Sequence, residues 1–252
     1  MRLLQFTDTH LFAAPDGQLH GVTTLRSLEA CLAHARRRHL PADAILVTGD
    51  LVQDEPDGYG ALELLLDGFG APVLLVSGNH DRPDELRRRF RHGPFQVGGV
   101  LTLARWTVVM LDTWYAESAR GEGRLGTRAL RDLDAELEAA RGRNALVCLH
   151  HPPVRMDTAG LDGLGLLDAG DFLAVLARHP NVRGVAWGHA HQALDLYRGQ
   201  ARFMCTPSTC FQFKPRVDGF VKDDRPPGYR VIDLLDDGGI ASEVVWLEGY
   251  GA

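Results

Sequence analysis

Five short apolar runs in this chain end in the same kind of chemistry. Leu3–Phe6 leads through Thr7 into Asp8-Thr9-His10, Ala44–Val47 through Thr48 into Gly49-Asp50, and Val73–Val76 through Ser77 into Gly78-Asn79-His80-Asp81. Ala145–Leu149 is followed by His150-His151, and Val182–Trp187 by Gly188-His189-Ala190-His191. Short Val-, Leu- and Ile-rich runs bounded by turn formers read as strands buried on both faces. Open sheets of such strands bind ligands beyond the carboxyl ends of the strands. The polar clusters are therefore expected along one edge, facing one region.

Helical patterns separate the runs. Thr24–Leu40 carries Leu25, Leu28 and Leu32 at helical spacing, and Thr127–Arg141 carries Leu130, Leu133 and Leu137 with Thr127 as its expected N-cap. Pro83 suits the first turn of a helix reaching Arg91. A sixth run, Val108–Leu111, adds another strand, and βαβ units account for the first half of the chain. From Ala193 onward short strands replace helices: Ala193–Tyr197, Ala201–Cys205, Tyr229–Leu234 and Glu243–Leu247. Asp236-Asp237-Gly238-Gly239 is a hairpin signal between the last two. With no Pro/Ser-rich linker and no repeat, the expectation is one α/β domain over residues 1–252, two packed mixed sheets flanked by helices.

Charge and cysteine usage exclude several classes. A net charge of −6 argues against a nucleic-acid surface, and Arg36–Arg38 and Arg87–Arg89 read as solvated helix faces. No apolar stretch approaches the ~18 residues that span a bilayer. Cys31, Cys148, Cys205 and Cys210 form no C-x-x-C pair, and Met1 leads directly into a strand. These features fit a cytoplasmic protein without membrane or nucleic-acid partners.

Each cluster alone has a bland reading. An isolated Asp-x-His is ordinarily a surface loop, and His150-His151-Pro152-Pro153 resembles a strand ended by prolines. Five such clusters, each at a strand end, make coincidence a poor account. In extended backbone residues i and i+2 share a face, so Asp8 with His10 and His189 with His191 are expected to aim donors at one place. Imidazole and carboxylate together suit Fe, Mn, Zn or Co. Gly49, Gly78 and Gly188 are expected to allow the close backbone approach such a pocket needs.

In their order, D-x-H, G-D, G-N-H-D, H and G-H-x-H, these motifs resemble the calcineurin-like metallophosphoesterase superfamily. The resemblance covers residues 3 to about 215 and implies a four-layer αββα sandwich with a two-metal site at one end. It implies Asp8, His10 and His191 on one metal, Asn79, His150 and His189 on the other, and Asp50 bridging both. His80 is then the histidine that meets substrate, with His151 behind the ligands and Asp81 orienting its neighbours. Two divalent cations, two carboxylates and a bridging hydroxide leave a net positive charge, and the neutral Asn79 preserves it for a phosphodiester.

Asp50–Asp54 followed by Tyr59, Leu161–Leu166 and especially Thr206-Pro207-Ser208-Thr209-Cys210-Phe211-Gln212-Phe213 are similar to bacterial class III cyclic-nucleotide phosphodiesterases. The implied reaction is hydrolysis of 3',5'-cyclic AMP, or cyclic GMP, to the 5'-monophosphate. The bridging hydroxide attacks phosphorus while His80 assists departure of the 3' oxygen. The loop from Thr206 is expected to shape the pocket, and Thr9, Phe12 and Phe211 are candidate contributors to it. Alternatives are a broad phosphodiesterase acting on glycerophosphodiesters or 2',3'-cyclic nucleotides, and a non-catalytic scaffold. Relatives of this kind are often homodimers.

Overall fold

The structure, a computed structural model, describes residues 1–250. Two six-stranded mixed sheets pack face to face. The first runs, edge to edge, Ile240–Trp246, Gly228–Leu234, Arg2–Phe6, Ala44–Thr48, Val73–Val76 and Phe95–Val97. Its last four strands are parallel, and the hairpin of the first two joins Arg2–Phe6 antiparallel. The second runs Leu194–Arg198, Ala201–Cys205, Val182–Trp187, Asn144–Cys148, Trp106–Met110 and Gly99–Leu103. Here the four central strands are parallel and each edge strand antiparallel.

The apolar runs are continuous because both faces of these strands are covered, and the period of two sorts their side chains. Ala44 and Leu46 join Leu3, Leu74 and Val76 against Trp106, Val108, Met110 and Leu146 of the other sheet. Ile45 and Val47 point the opposite way, onto Leu28 and Leu32 of the helix Thr24–Arg38 and Leu62 and Leu66 of the helix Tyr59–Asp67. On the far side, Leu133 and Leu137 of the helix Gly126–Ala139 and Phe172 and Leu176 of Ala169–Ala177 cover Val147 and Val185. The result is helices, sheet, sheet, helices. Among the described residues no helix is long and apolar enough to cross a membrane.

Departures from the sequence reading have local causes. Thr127 lies inside its helix rather than capping it, because the Asp168 carboxylate accepts from the Leu125 and Gly126 N–H groups at 3.1 and 2.7 Å. Tyr59–Asp67 and Ala169–Ala177 carry no clear apolar stripe in the sequence; both are short, and their apolar residues run consecutively. The hairpin signal at Asp236–Gly239 is realised, with Leu234 opposite Ile240. All eight parallel strands direct their carboxyl ends to one rim, and the five polar clusters lie there.

Candidate metal centre

The clusters converge by bending, not by pleating. Asp8, His10, Asp50, His189 and His191 have φ of 53°, 46°, 51°, 66° and 48°. Residues other than glycine rarely adopt this left-handed region, at a cost of about 1–3 kcal/mol each when the surroundings enforce it. The expectation that Asp8/His10 and His189/His191 share a face of extended chain is therefore corrected. Each strand kinks at its end, and the kink turns the donor inward.

Hydrogen bonds between neighbouring strand ends hold the kinks. Asp8 N–H donates to the Gly49 carbonyl at 3.0 Å, and His10 N–H to that of Asp50 at 2.9 Å. His189 N–H donates to both Asp8 carboxylate oxygens at 3.0 Å, and the Ser208 hydroxyl donates to the Asp8 carbonyl at 2.7 Å. The glycines leave space that nothing larger would fit. A Cβ on Gly49 would stand 2.3 Å from His150 Nδ1, one on Gly78 2.1 Å from Asp50 Oδ1, and one on Gly188 1.9 Å from the Thr7 hydroxyl.

Asp8, His10 and His191 each offer a ligand atom within 4.8 Å of the others, and so do Asp8, Asp50 and His150. His191 Nδ1 donates to the Phe211 carbonyl at 2.7 Å and His150 Nδ1 to that of Thr48 at 2.7 Å, so the neutral form of each has its lone pair on Nε2. His150 Nε2 then lies 3.3 Å from Asp50 Oδ2 and 3.2 Å from His189 Nδ1. His191 Nε2 lies 3.0 Å from His10 Nε2 and 3.5 Å from Asp8 Oδ1. The Asn79 carbonyl oxygen is buried without a hydrogen-bond partner.

These observations test the fit of a metal directly. Two ring nitrogens 3.0 Å apart need a proton or a cation between them. Burial pushes both His10 and His191 down to about 3, so near pH 7 both rings are neutral with one proton each. With the His191 proton on Nδ1, the gap is filled either by a His10 Nε2–H or by a cation that takes a lone pair from each ring. The cavity lining holds two further buried atoms without a hydrogen-bond partner, Asn79 Oδ1 and His189 Nε2, which suit metal ligation. The residues fit. His151 also stands close, in a set with His150 and His189, but its Nδ1 faces the Thr113 hydroxyl at 2.7 Å and its Nε2 the Gly121 carbonyl at 3.1 Å. With both nitrogens engaged it backs the site.

Burial raises the Asp8 carboxyl to about 7, with Asp50 adding to the rise and His150 opposing it. Burial also acts on Asp50, yet His150, His80 and His10 together hold it well below the usual range. His150 rises to about 9 because Asp50, Asp8 and the Thr48 carbonyl outweigh its desolvation.

A cavity of about 550 Å³ opens over this donor set, with His10, Asp50, Asn79, His80, His189 and His191 in its lining. The His80 N–H donates to Asp50 Oδ1 at 3.0 Å, while its ring reaches outward to Asp54. Phe211 also lines the cavity. Thr9 does not: it is buried with its hydroxyl donated to the Leu51 carbonyl at 2.6 Å, because the left-handed residues on either side turn it away. Phe12 packs against Gly17 and is likewise outside the lining. Tyr59 sits behind the site, its hydroxyl donating to Asp81 Oδ1 at 3.0 Å. Thr206 and Ser208 act as ties, Thr206 to Gln5 at 2.6 Å and Ser208 to Asp8. Sequence reasoning singled out the Asp50–Asp54 segment but gave Asp54 no role, and the structure sets it against the His80 ring.

A profile of the calcineurin-like phosphoesterase family matches residues 1–193. The 3',5'-cyclic adenosine monophosphate phosphodiesterase CpdA of Escherichia coli is 36% identical over 251 residues, covering 97% of this chain and 89% of that protein. A probable cyclic nucleotide phosphodiesterase of Synechococcus is 33% identical over 249 residues, covering 98% and 93%. A dimetal phosphatase from Danio rerio superposes with a TM-score of 0.72 over 97% of this chain and 98% of that one; at 15% identity this bears on the fold alone. The fold, the donor set at its strand-end rim and these matches agree: the chain belongs to the calcineurin-like phosphoesterase family.

Proposed function

We propose that this chain hydrolyses 3',5'-cyclic AMP to the 5'-monophosphate at a centre holding two metal ions. The observation that carries the reading is the convergence of the five strand-end clusters, four of them lining one cavity and His150 joining their donors, with His80 at the border between the donors and open space. The names of relatives aligned nearly end to end support the choice of substrate.

Asp8, His10 and His191 would hold one ion and Asn79, His150 and His189 the other, with Asp50 available to both. Bound divalent ions supply Lewis acidity to phosphoryl oxygens and make water a competent nucleophile near neutral pH. The remaining work falls to the chain. Thr48 and Phe211 carbonyls fix the tautomers of His150 and His191. His80 has its Nδ1 engaged by the Asp54 carboxylate and the Gln53 amide, so Nε2 is the atom free to hold a proton for the leaving 3' oxygen. Hydrolysis breaks the P–O3' bond; water's oxygen goes to phosphorus and a proton to O3'.

The test is turnover of cyclic AMP, cyclic GMP, 2',3'-cyclic AMP and a glycerophosphodiester, with metal content measured on the same sample. A preference for the 3',5'-cyclic substrates and about two ions per chain are expected. Equal or faster turnover of the last two substrates would overturn the assignment. Loss of all hydrolysis by metal-loaded protein would favour a scaffold.

A further inference from the structure

One wall of the cavity is aromatic, and the chemistry proposed above makes no use of it. The wall forms where two small hairpins meet. Gln18–Leu19 pairs with Val22–Thr23 across His20-Gly21, both at positive φ as a tight I′ turn requires. Gln212–Phe213 pairs with Lys222–Asp223. The Lys222 ammonium donates to the His20 carbonyl at 2.6 Å and ties the hairpins together.

The rings then form a chain. Phe211 lies 4.5 Å from His191 of the metal centre, His20 4.3 Å from Phe211, Phe213 5.0 Å from Phe211, and Phe220 5.4 Å from Phe213. His20, Phe211, Phe213 and Phe220 all line the cavity. Packing between the hairpins explains Phe211, which is 4% exposed. It does not explain Phe220, which remains 51% exposed, or the exposed ring of His20. Gln53, Asp54, Ser118 and Arg120 make other parts of the lining polar. Trp114 and Tyr115 add rings elsewhere in the lining, but the chain from Phe211 to Phe220 is the aromatic face that adjoins a ligand histidine.

We infer that this wall takes the nucleobase, with the exposed rings of His20 and Phe220 as its affinity-determining contacts. The inference rests on the cyclic-nucleotide reading. A phosphate held at the metal centre leaves the attached base within reach of a wall that begins 4.5 Å from a ligand histidine. Bases stack on aromatic side chains through their π-faces, whatever their edge groups.

The test compares cyclic AMP with the 3',5'-cyclic phosphate of 1-O-methylribose, which keeps the reacting ring and lacks the base. On metal-loaded enzyme, Phe220→Ala is expected to raise KM for cyclic AMP about tenfold while kcat changes less than twofold. Phe220→Tyr restores KM, whereas Phe220→Leu, which refills the volume without a π-face, does not. His20→Ala raises KM in the same sense. The loss is confined to the substrate with a base, so the base and Phe220 are non-additive in a double-mutant cycle. Equal losses on both substrates, or an unchanged KM for cyclic AMP in both alanine variants, would overturn the inference. Wild-type enzyme that hydrolysed neither cyclic phosphate would instead overturn the substrate assignment, and wild-type enzyme with no preference for the substrate carrying the base would overturn the wall alone.

Discussion

His80 Nδ1 lies 3.1 Å from the Asp54 carboxylate, and the Gln53 amide donates to that carboxylate at 3.1 Å. The Gln53 amide nitrogen also lies 3.0 Å from Nδ1, and it is the charge of Asp50 and Asp54 that favours a proton on Nδ1 facing the Asp54 acceptor. Burial pushes the His80 pKa down, but Asp50 and Asp54 outweigh it and the net shift is upward. An acid with a raised pKa stays protonated to higher pH. Removing Asp54 lowers that pKa, so Asp54→Ala is expected to shift the alkaline limb of the kcat profile to lower pH. It should also reduce kcat about tenfold without changing metal content. A pH–rate profile with an unmoved limb would leave Asp54 without a role in positioning the acid.

Asn79 and His80 are adjacent but divide the labour. Asn79 Oδ1 is buried without a partner in the cavity lining, while His80 bonds Asp50 through its backbone N–H and keeps a ring nitrogen within 4.8 Å of His10 and Asp50. His80→Ala is expected to keep both ions and lose about 10²–10⁴-fold in turnover, the usual contribution of a general acid. Asn79→Ala is expected to lose up to one ion per chain. Metal analysis after exhaustive dialysis separates them. Metal loss in the His80 variant would show the division to be wrong.

Much of this was legible in the sequence because burial makes strands plain. Ala44–Thr48 and Val73–Val76 are covered on both faces, so their apolar runs are unbroken and their polar ends conspicuous. The backbone at those ends was not legible. Nothing in Asp8 or His191 announces a left-handed conformation, because neighbouring strands impose it. The role of Asp54 was hidden for a similar reason: its partner His80 is distant in sequence and is met only after two strands align. Of the aromatic wall, Phe211 and its loop were expected at the pocket, whereas His20 and Phe220 were hidden because only the meeting of the two hairpins brings them to it.

Asp81 joins the loops that carry Asp50 and Asn79. Its carboxylate accepts from Leu51 N–H at 3.1 Å, Gly78 N–H at 2.8 Å and the Tyr59 hydroxyl at 3.0 Å. Asp81→Ala orphans several buried donors, at about 1–3 kcal/mol each. A loss of at least ~3 kcal/mol should lower Tm by roughly 6–12 °C in a chain this long. Tyr59→Phe removes one donor and should cost about 1 kcal/mol. Calorimetry on metal-loaded protein checks both, and a fall under about 2 °C for Asp81→Ala would contradict the tie.

Metal uptake should release protons and weaken in acid. Ligand histidines must be neutral and carboxylates ionised to bind. Before binding, His150 is raised to about 9 because Asp50, Asp8 and the Thr48 carbonyl outweigh its desolvation, and Asp8 is raised to about 7 by burial. Near pH 7, His150 is mostly protonated and Asp8 about half so, and both protons must leave. Burial already holds His10, His189 and His191 neutral, at about 3 each, so they contribute little proton release in this range. Between one and two protons per chain are therefore expected to be released on metal loading near neutrality, counted calorimetrically in buffers of different ionisation enthalpy. Because the competing protons bind more strongly as pH falls, apparent metal affinity should drop on acidification from about pH 7 to about pH 5. It should rise until His150 deprotonates unaided near pH 9. Affinity that stayed flat across that range, with no proton released, would mean that His150 and Asp8 do not bind the ions.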